Sequence, residues 1–181
     1  TNFIRYRAPN KNQCKECHLK DNAVEPIGPK PRNINKSIAY QNGIESNQID
    51  HWSALGFLEE GIYSDESMVD AFDQNYDINL RARSYLDINC GHCHSSEGSA
   101  SSSGLYLSIE DKEFGVYKKP VAAGRGSGGL SYSIVPGHPE ESILLFRMLS
   151  NEPDIMMPES GRSLMHAEAI DLITEWINEM K

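Results

Sequence analysis

The sequence predicts a mainly α chain made of two units, residues 1–78 and 79–181. Three observations predict it. The five-residue pattern C-x-x-C-H occurs twice, at Cys14–His18 and Cys90–His94, and uses all four cysteines of the 181-residue chain. Apolar residues recur at helical spacing in several stretches, most clearly near the C-terminus. The connecting stretches are rich in glycine, proline and serine, and leave room for only one short β-hairpin.

C-x-x-C-H is the pattern for covalent attachment of a c-type haem. Two intervening residues bring both thiols to one edge of a helical turn, where each forms a thioether with a haem vinyl group. The next residue turns an imidazole toward the iron. The expected cofactors are therefore two haem c groups, held by Cys14 and Cys17 and by Cys90 and Cys93. His18 and His94 are the proximal iron ligands. Four paired cysteines also fit one zinc site or two short disulfides. Neither alternative explains a histidine after each pair.

Residues Thr1–Asn12 are polar and without period, an extended lead-in. After the first motif, Pro26-Ile27-Gly28-Pro29-Lys30-Pro31-Arg32 reads as a stiff loop. A ligating histidine usually has its second nitrogen held, and this loop is expected to accept that N–H through a backbone carbonyl. Lys30 and Arg32 are expected either to pair with haem propionates or to be plain surface charge. From Ser46, a plausible N-cap, to Leu58 the pattern is helical, with Ile49, Trp52 and Gly56 on one face and His51, Leu55 and Leu58 on another. Gly61 is expected to close this region. Tyr63–Asp77 is acidic and irregular and contains Met68.

The second unit opens with a helix over Asn79–Asn89 that runs into the second motif, with Ala82, Tyr85 and Leu86 inward. Ser95–Gly104 is a glycine/serine-rich loop. Leu105–Ile109 is expected as a short strand paired with Tyr132–Val135. Between them, Gly124–Gly129 is a second glycine-rich loop, without the strand and helix context of a phosphate-binding loop. A helix follows over Glu140–Leu149, with Ile143, Leu144 and Phe146 or Met148 inward. Ile155-Met156-Met157-Pro158 is a loop. The last helix runs over Ala167–Met180, with Ile170, Ile173 and Ile177 recurring beside Leu172 and Trp176.

From Asn79 onward this order of parts resembles class I cytochrome c. In that family the first and last helices cross through a small and an apolar residue four apart, meeting an apolar and an aromatic residue three apart. Ala82 with Leu86, and Ile173 with Trp176, match those positions. Ile134-Val135-Pro136-Gly137-His138-Pro139-Glu140-Glu141-Ser142-Ile143-Leu144-Leu145, with the Met-Pro loop and Trp176-Ile177, resembles planctomycete-type cytochrome c domains. Arg81-Ala82-Arg83-Ser84-Tyr85-Leu86-Asp87-Ile88-Asn89-Cys90 resembles an uncharacterised bacterial family of predicted dihaem cytochromes, over most of the chain. The resemblance implies two class I cytochrome c-like haem units, with the hairpin and the glycine/serine-rich loops inserted in the second. It implies Met157 as distal ligand of the second haem, with Met156 as fallback. The first unit lacks a leading helix but keeps Gly28-Pro29 after its motif, as the family does. The helix from Asn79 is expected to close the first unit while opening the second.

For the distal ligand of the first haem the candidates are Met68 and His51. Met68 is favoured by position, 11 residues before Asn79, much as Met157 lies 10 before Ala167. His51 is favoured by chemistry, since imidazole binds both oxidation states of iron. His92 is expected to point outward, and His138 and His166 to be surface or capping residues. Met148, Met165 and Met180 are expected to fill the core or lie on the surface.

The net charge of -9 argues against nucleic acid and suits a redox protein steered to a partner protein by charge. No apolar run of about 18 residues exists, so no membrane span is expected. C-x-x-C-H attachment implies an extracytoplasmic, periplasmic setting, and with no leader in the sequence a mature chain is expected. Electron transfer is the expected function. The alternative is a dihaem enzyme, such as a peroxidase, with one iron left open.

Overall fold

The computed structural model describes residues 3–20, 23–59, 61–112 and 115–181. Among them the chain is mixed α/β, with six α-helices, three short 3-10 turns and two two-stranded hairpins. The expectation of a mainly α chain fits the second half better than the first, where both hairpins lie.

Helix α1, Lys11–His18, carries the first motif. It starts after the lead-in because Asn10 caps it: the Asn10 side chain accepts from the N–H of Asn12 and Gln13, and Gln13 bonds back to the Asn10 N–H. Strands β1 (Leu19–Lys20) and β2 (Ala23–Val24) pair antiparallel straight after it. The proline at Pro31 opens a single turn, α2 (Pro31–Ile34). A second hairpin, β3 (Ser37–Ala39) with β4 (Glu45–Asn47), leads into α3, Gln48–Ala54. This helix is shorter than the expected Ser46–Leu58. Asn47, not Ser46, caps it, accepting from the Ile49 N–H at 2.9 Å. Gly56 stops it by taking φ +73°, a conformation that an L side chain resists.

Helix α4, Ile78–Asn89, begins where Asp77 accepts from the N–H of Asn79 and Leu80. α5 is Ile143–Met148 and follows a 3-10 turn at Pro139–Glu141, so the expected Glu140–Leu149 helix is split. α6 is Ala167–Glu179. As expected, α4 packs on α6. Ala82, Leu86, Ile173 and Trp176 are buried in one apolar cluster with Leu107, Ile134, Leu144 and Ile177. The Trp176 indole N–H donates to Asn79 Oδ1 at 3.0 Å. All twelve buried members of this cluster lie between Ala82 and Ile177. Among the described residues up to 78, only Ile34 and Ile49 are buried apolar residues.

The expected pairing of Leu105–Ile109 with Tyr132–Val135 does not form. The latter segment pairs instead with Lys118–Val121, through Lys118 N–H to Ile134 O (3.0 Å), Ser133 N–H to Lys119 O (2.9 Å) and Val121 N–H to Ser131 O (3.1 Å). Only the Gly124–Gly129 loop region separates these two segments, so closing them costs less chain entropy than reaching back to Leu105. Leu105 and Leu107 enter the core, and the Leu107 N–H is taken by His94 O at 2.7 Å. No helix in the described residues is long and apolar enough to cross a membrane.

Arg32 is neither plain surface charge nor free for a cofactor. It is 7% exposed. Its guanidinium grips the fully buried Asp87 carboxylate of α4 through Nη2 (2.9 Å) and Nε (3.2 Å), and reaches Glu110 through Nη1 at 2.5 Å. Asp87 also accepts from the Ile109 N–H at 3.0 Å. Burial alone would raise the Asp87 carboxyl; the Arg32 and Ile109 hydrogen bonds outweigh it and hold the group below the usual carboxylate range. This cluster ties the first unit to the second.

Candidate functional site

The two C-x-x-C-H motifs meet. The Cys93 thiol points at Glu16 O (3.7 Å), and the Ser99 hydroxyl donates to the same carbonyl. The Cys17 Sγ, a ring nitrogen of His92 and the Cys93 Sγ all lie within 4.8 Å of one another. The thiol of Cys17 donates toward Cys93, which pulls the Cys93 thiol well below its ordinary range and pushes that of Cys17 up. Burial pushes the Cys90 thiol up to about 12.

Each motif histidine has its second nitrogen occupied. His18 Nδ1 lies 2.8 Å from Glu25 O. A carbonyl can only accept, so Nδ1 carries the proton and Nε2 keeps its lone pair free. The acceptor is the residue just before the Pro26–Arg32 loop, one position earlier than expected. His94 Nδ1 faces the Ser103 hydroxyl at 3.3 Å. Burial holds His94 below the ordinary imidazole range, so it is neutral at pH 7.

His18 and Cys17 line a cavity of about 420 Å³, walled by Pro26, Ile27 and Lys30 on one side and by Gly91 and His92 on the other. His94 lines three further cavities, of about 630, 170 and 60 Å³, and Met157 lines all three with it. Cys90 and Cys93 border the 170 Å³ cavity, whose remaining walls include Leu107, Leu144, Met148 and Ile170. Its rim carries Arg162, which donates to the carbonyls of Met148 (2.9 Å) and Ser150. The Arg162 Nε is buried and has no partner. Met156 lines none of these cavities; Met157 borders all three with His94, and Met148 borders one of them.

Neither expected distal candidate of the first motif lines the cavity of His18. Met68 borders a separate space of about 210 Å³ with Phe72, Tyr85, Ile88 and His166. Its backbone N–H is bonded to Arg32 O at 3.0 Å. His51 stacks on Tyr40 with ring centroids 3.7 Å apart.

His92 departs from its expected outward position. Its Nδ1 is buried without a hydrogen-bond partner, and its side chain borders both the 420 Å³ cavity and the 170 Å³ cavity. Nothing in the sequence marks this, because the inner positions of C-x-x-C-H carry no fixed role. His166 is exposed and stands at the N-cap of α6, as expected; its Nδ1 also meets the Tyr85 hydroxyl at 3.2 Å. His138 is exposed beside Glu140, as expected.

Close packing constrains the second motif. A Cβ at Gly91 would lie 2.7 Å from Asp87 O and 3.0 Å from Ser108 Cα, so the motif's first inner position needs glycine here. No family model, curated protein or solved structure matches the chain.

Proposed function

We propose that the chain is an electron-transfer protein carrying two haem c groups, one on Cys14 and Cys17 and one on Cys90 and Cys93. The observation that carries the proposal is the duplicated C-x-x-C-H, with each motif histidine bordering a cavity and its second nitrogen held by the chain. The residues around His94 fit the group, whereas the walls around His18 are more polar and include Glu25, Glu97, Glu110 and Asp111. Cavities near 400–600 Å³ fall within the range of cofactor sites. The walls around His94 are largely apolar, Met157 offers a soft thioether, and the unpartnered Arg162 Nε is a donor suited to a propionate. On the first side both Arg32 and Lys30 are engaged with Asp87 and Glu110, Lys30 at 4.0 and 3.9 Å.

Haem c supplies one-electron cycling between ferrous and ferric iron. The protein's part is positioning. The Glu25 carbonyl fixes the tautomer and angle of His18, and Ser103 faces the corresponding nitrogen of His94. Met157, which borders the cavities of His94, would close the second site to substrates and, as a neutral sulfur ligand, would favour Fe(II). The net charge of -9 suits steering toward a basic patch on a redox partner protein in an extracytoplasmic compartment.

Denatured-chain mass spectrometry should show two added haem masses, and Met157→Ala should abolish the near-infrared sulfur-to-iron band. One added mass, or a band that survives, overturns the corresponding assignment. A second reading, an enzyme with an open first iron, is favoured by the absence of Met68 and His51 from the walls around His18. It requires that a haem of the purified protein bind carbon monoxide readily. A third follows from the Cys17, His92 and Cys93 cluster, whose ligand set suits zinc. It requires stoichiometric zinc and no Soret band.

A further inference from the structure

We propose that, before haem is attached, Cys17, His92 and Cys93 hold one tetrahedral, thiophilic metal ion, zinc by its chemistry, which has to leave before either motif forms both thioethers. The inference rests on the dihaem reading only for that last step. The site itself rests on the chain's own residues.

Four observations carry it. First, the Cys17 Sγ, a ring nitrogen of His92 and the Cys93 Sγ all lie within 4.8 Å of one another. Sulfur at about 2.3 Å and nitrogen at about 2.0–2.1 Å from a tetrahedral zinc stand roughly 3.6–3.8 Å apart. Movements of about an ångström therefore close the three groups on an ion. Second, each motif gives one cysteine rather than its pair. The Cys14 thiol is exposed and lies 4.0 Å from Pro9 O, and Cys90 borders the 170 Å³ cavity, which Cys17 does not. The geometry thus selects two cysteines and a histidine over a four-cysteine site. Third, the His92 Nδ1 is buried with no hydrogen-bond partner. An ion is one of the few things that supplies such an atom with a partner. Fourth, the ligands are held in place. Cys93 and His94 N–H both bond to Cys90 O, at 3.1 and 2.9 Å, and Cys93 O accepts from the Ala100 N–H at 3.0 Å. The Ser99 hydroxyl donates to Glu16 O, which ties the second motif to the residue before Cys17. Ligands placed before the ion arrives lose little freedom on binding.

Three protein ligands leave the fourth tetrahedral position to water, which reaches Cys17 from the 420 and 630 Å³ cavities. Binding involves no change of oxidation state. Zinc stays Zn(II), and each cysteine releases its thiol proton to solvent as its sulfur becomes a ligand. Among the described residues the other cluster of potential ligands, His138, Glu140 and Glu141, is exposed and offers no sulfur. The consequence is an order of events. An ion that takes one sulfur from each motif pins the first region to the second and leaves each motif one free thiol. Neither motif can then join a haem at both cysteines until the ion is gone.

The test uses the full chain, produced without haem attachment and kept reduced. Zinc should bind at one ion per chain. Cobalt(II) in its place should show the visible bands of a tetrahedral ion, with charge transfer from two thiolates. Cys17→Ser, Cys93→Ser and His92→Ala should each weaken zinc by more than about tenfold, the least that loss of even an outer-shell partner costs. Bound zinc should shield Cys17 and Cys93 from alkylation, read by peptide mass mapping, and a chelator should remove the shielding. A chain that binds no zinc overturns the proposal, as does a His92→Ala variant that binds it undiminished. If Cys14→Ser or Cys90→Ser weakens zinc as Cys17→Ser does, the ion sits in a four-cysteine site and the proposal fails. Zinc-loaded chain should take up ferrous haem severalfold more slowly than chelator-treated chain; equal rates overturn the order of events. A haem count on the matured chain keeps the two readings apart. Two haems, with no zinc site before attachment, defeat this inference alone. A zinc site in a chain that never takes haem defeats the dihaem reading and supports the site.

Discussion

The two motif-bearing regions share five residues of pattern and little else. The second motif ends a helix, α4, that is buried on nearly every side, by Ala82 and Leu86 toward α6 and by Arg81, Arg83, Ser84 and Asp87 elsewhere. The first motif sits on α1, which has no buried residue. The first region contributes no buried residue to the main apolar cluster. It leans on α4 through Arg32. The attachment chemistry asks only for a local turn. The scaffold that holds the turn is a separate matter, and here one region lends its core to the other.

Removing a core side chain should break this comparison hardest. Leu86 is fully buried between α4 and α6, and Leu86→Ala should cost about 3–5 kcal/mol in urea unfolding. Because the first region leans on α4, the surroundings of both C-x-x-C-H motifs should loosen in parallel. Ile49→Ala, in the first region, should cost less, about 2 kcal/mol, and leave amide protection in α4 unchanged. Equal losses from the two, with α4 opening in both, would mean that the regions share a single cooperative core.

The ion pair is the next largest effect. Arg32→Met strands a carboxylate that has no exposed surface, and breaking such a pair costs about 3 kcal/mol. The pH dependence has a definite sign. The folded Asp87 carboxyl is held below its unfolded value, so its contribution is present above about pH 4 and is lost as pH falls through the folded value. In Arg32→Met the carboxyl keeps its burial and loses its main partner, so its pKa rises, and protonation relieves the variant. The stability gap between wild type and variant should be widest near neutrality and shrink as pH falls below about 5. A gap that is flat across that range would show that Asp87 does not feel Arg32.

What was legible in the sequence divides along the same line. The motifs and the α4–α6 crossing were readable because both are short-range patterns: a fixed spacing, and Ala82, Leu86, Ile173 and Trp176 at helical intervals. The Arg32–Asp87 pair was not, since 55 residues separate two charges that each look solvated on a local view. The partner of Tyr132–Val135 was misjudged because Leu105 and Leu107 alternate like a strand yet are buried by the core alone. Met68 was placed by its distance from α4 along the chain, which carries no information about which cavity it borders. His92 was hidden by its position inside a motif whose inner residues are free.

Helix capping gives the smallest effect and the finest discrimination. Asn10 caps α1 and Asp77 caps α4, each by accepting two backbone N–H bonds. Replacing either with alanine removes about 1 kcal/mol of local helix stability. Where that loss appears depends on what the helix is joined to. α4 is part of the core, so Asp77→Ala should lower the global unfolding free energy by about 1 kcal/mol. α1 buries no residue, so Asn10→Ala should leave global unfolding nearly unchanged and instead speed amide exchange at Asn12 and Gln13, whose N–H groups lose their acceptor. On the dihaem proposal, thioethers at Cys14 and Cys17 would pin the far end of α1 and confine the fraying to its first turn. If Asn10→Ala lowers global stability as much as Asp77→Ala does, α1 folds as part of the core, and the contrast between a self-supporting and a supported motif fails.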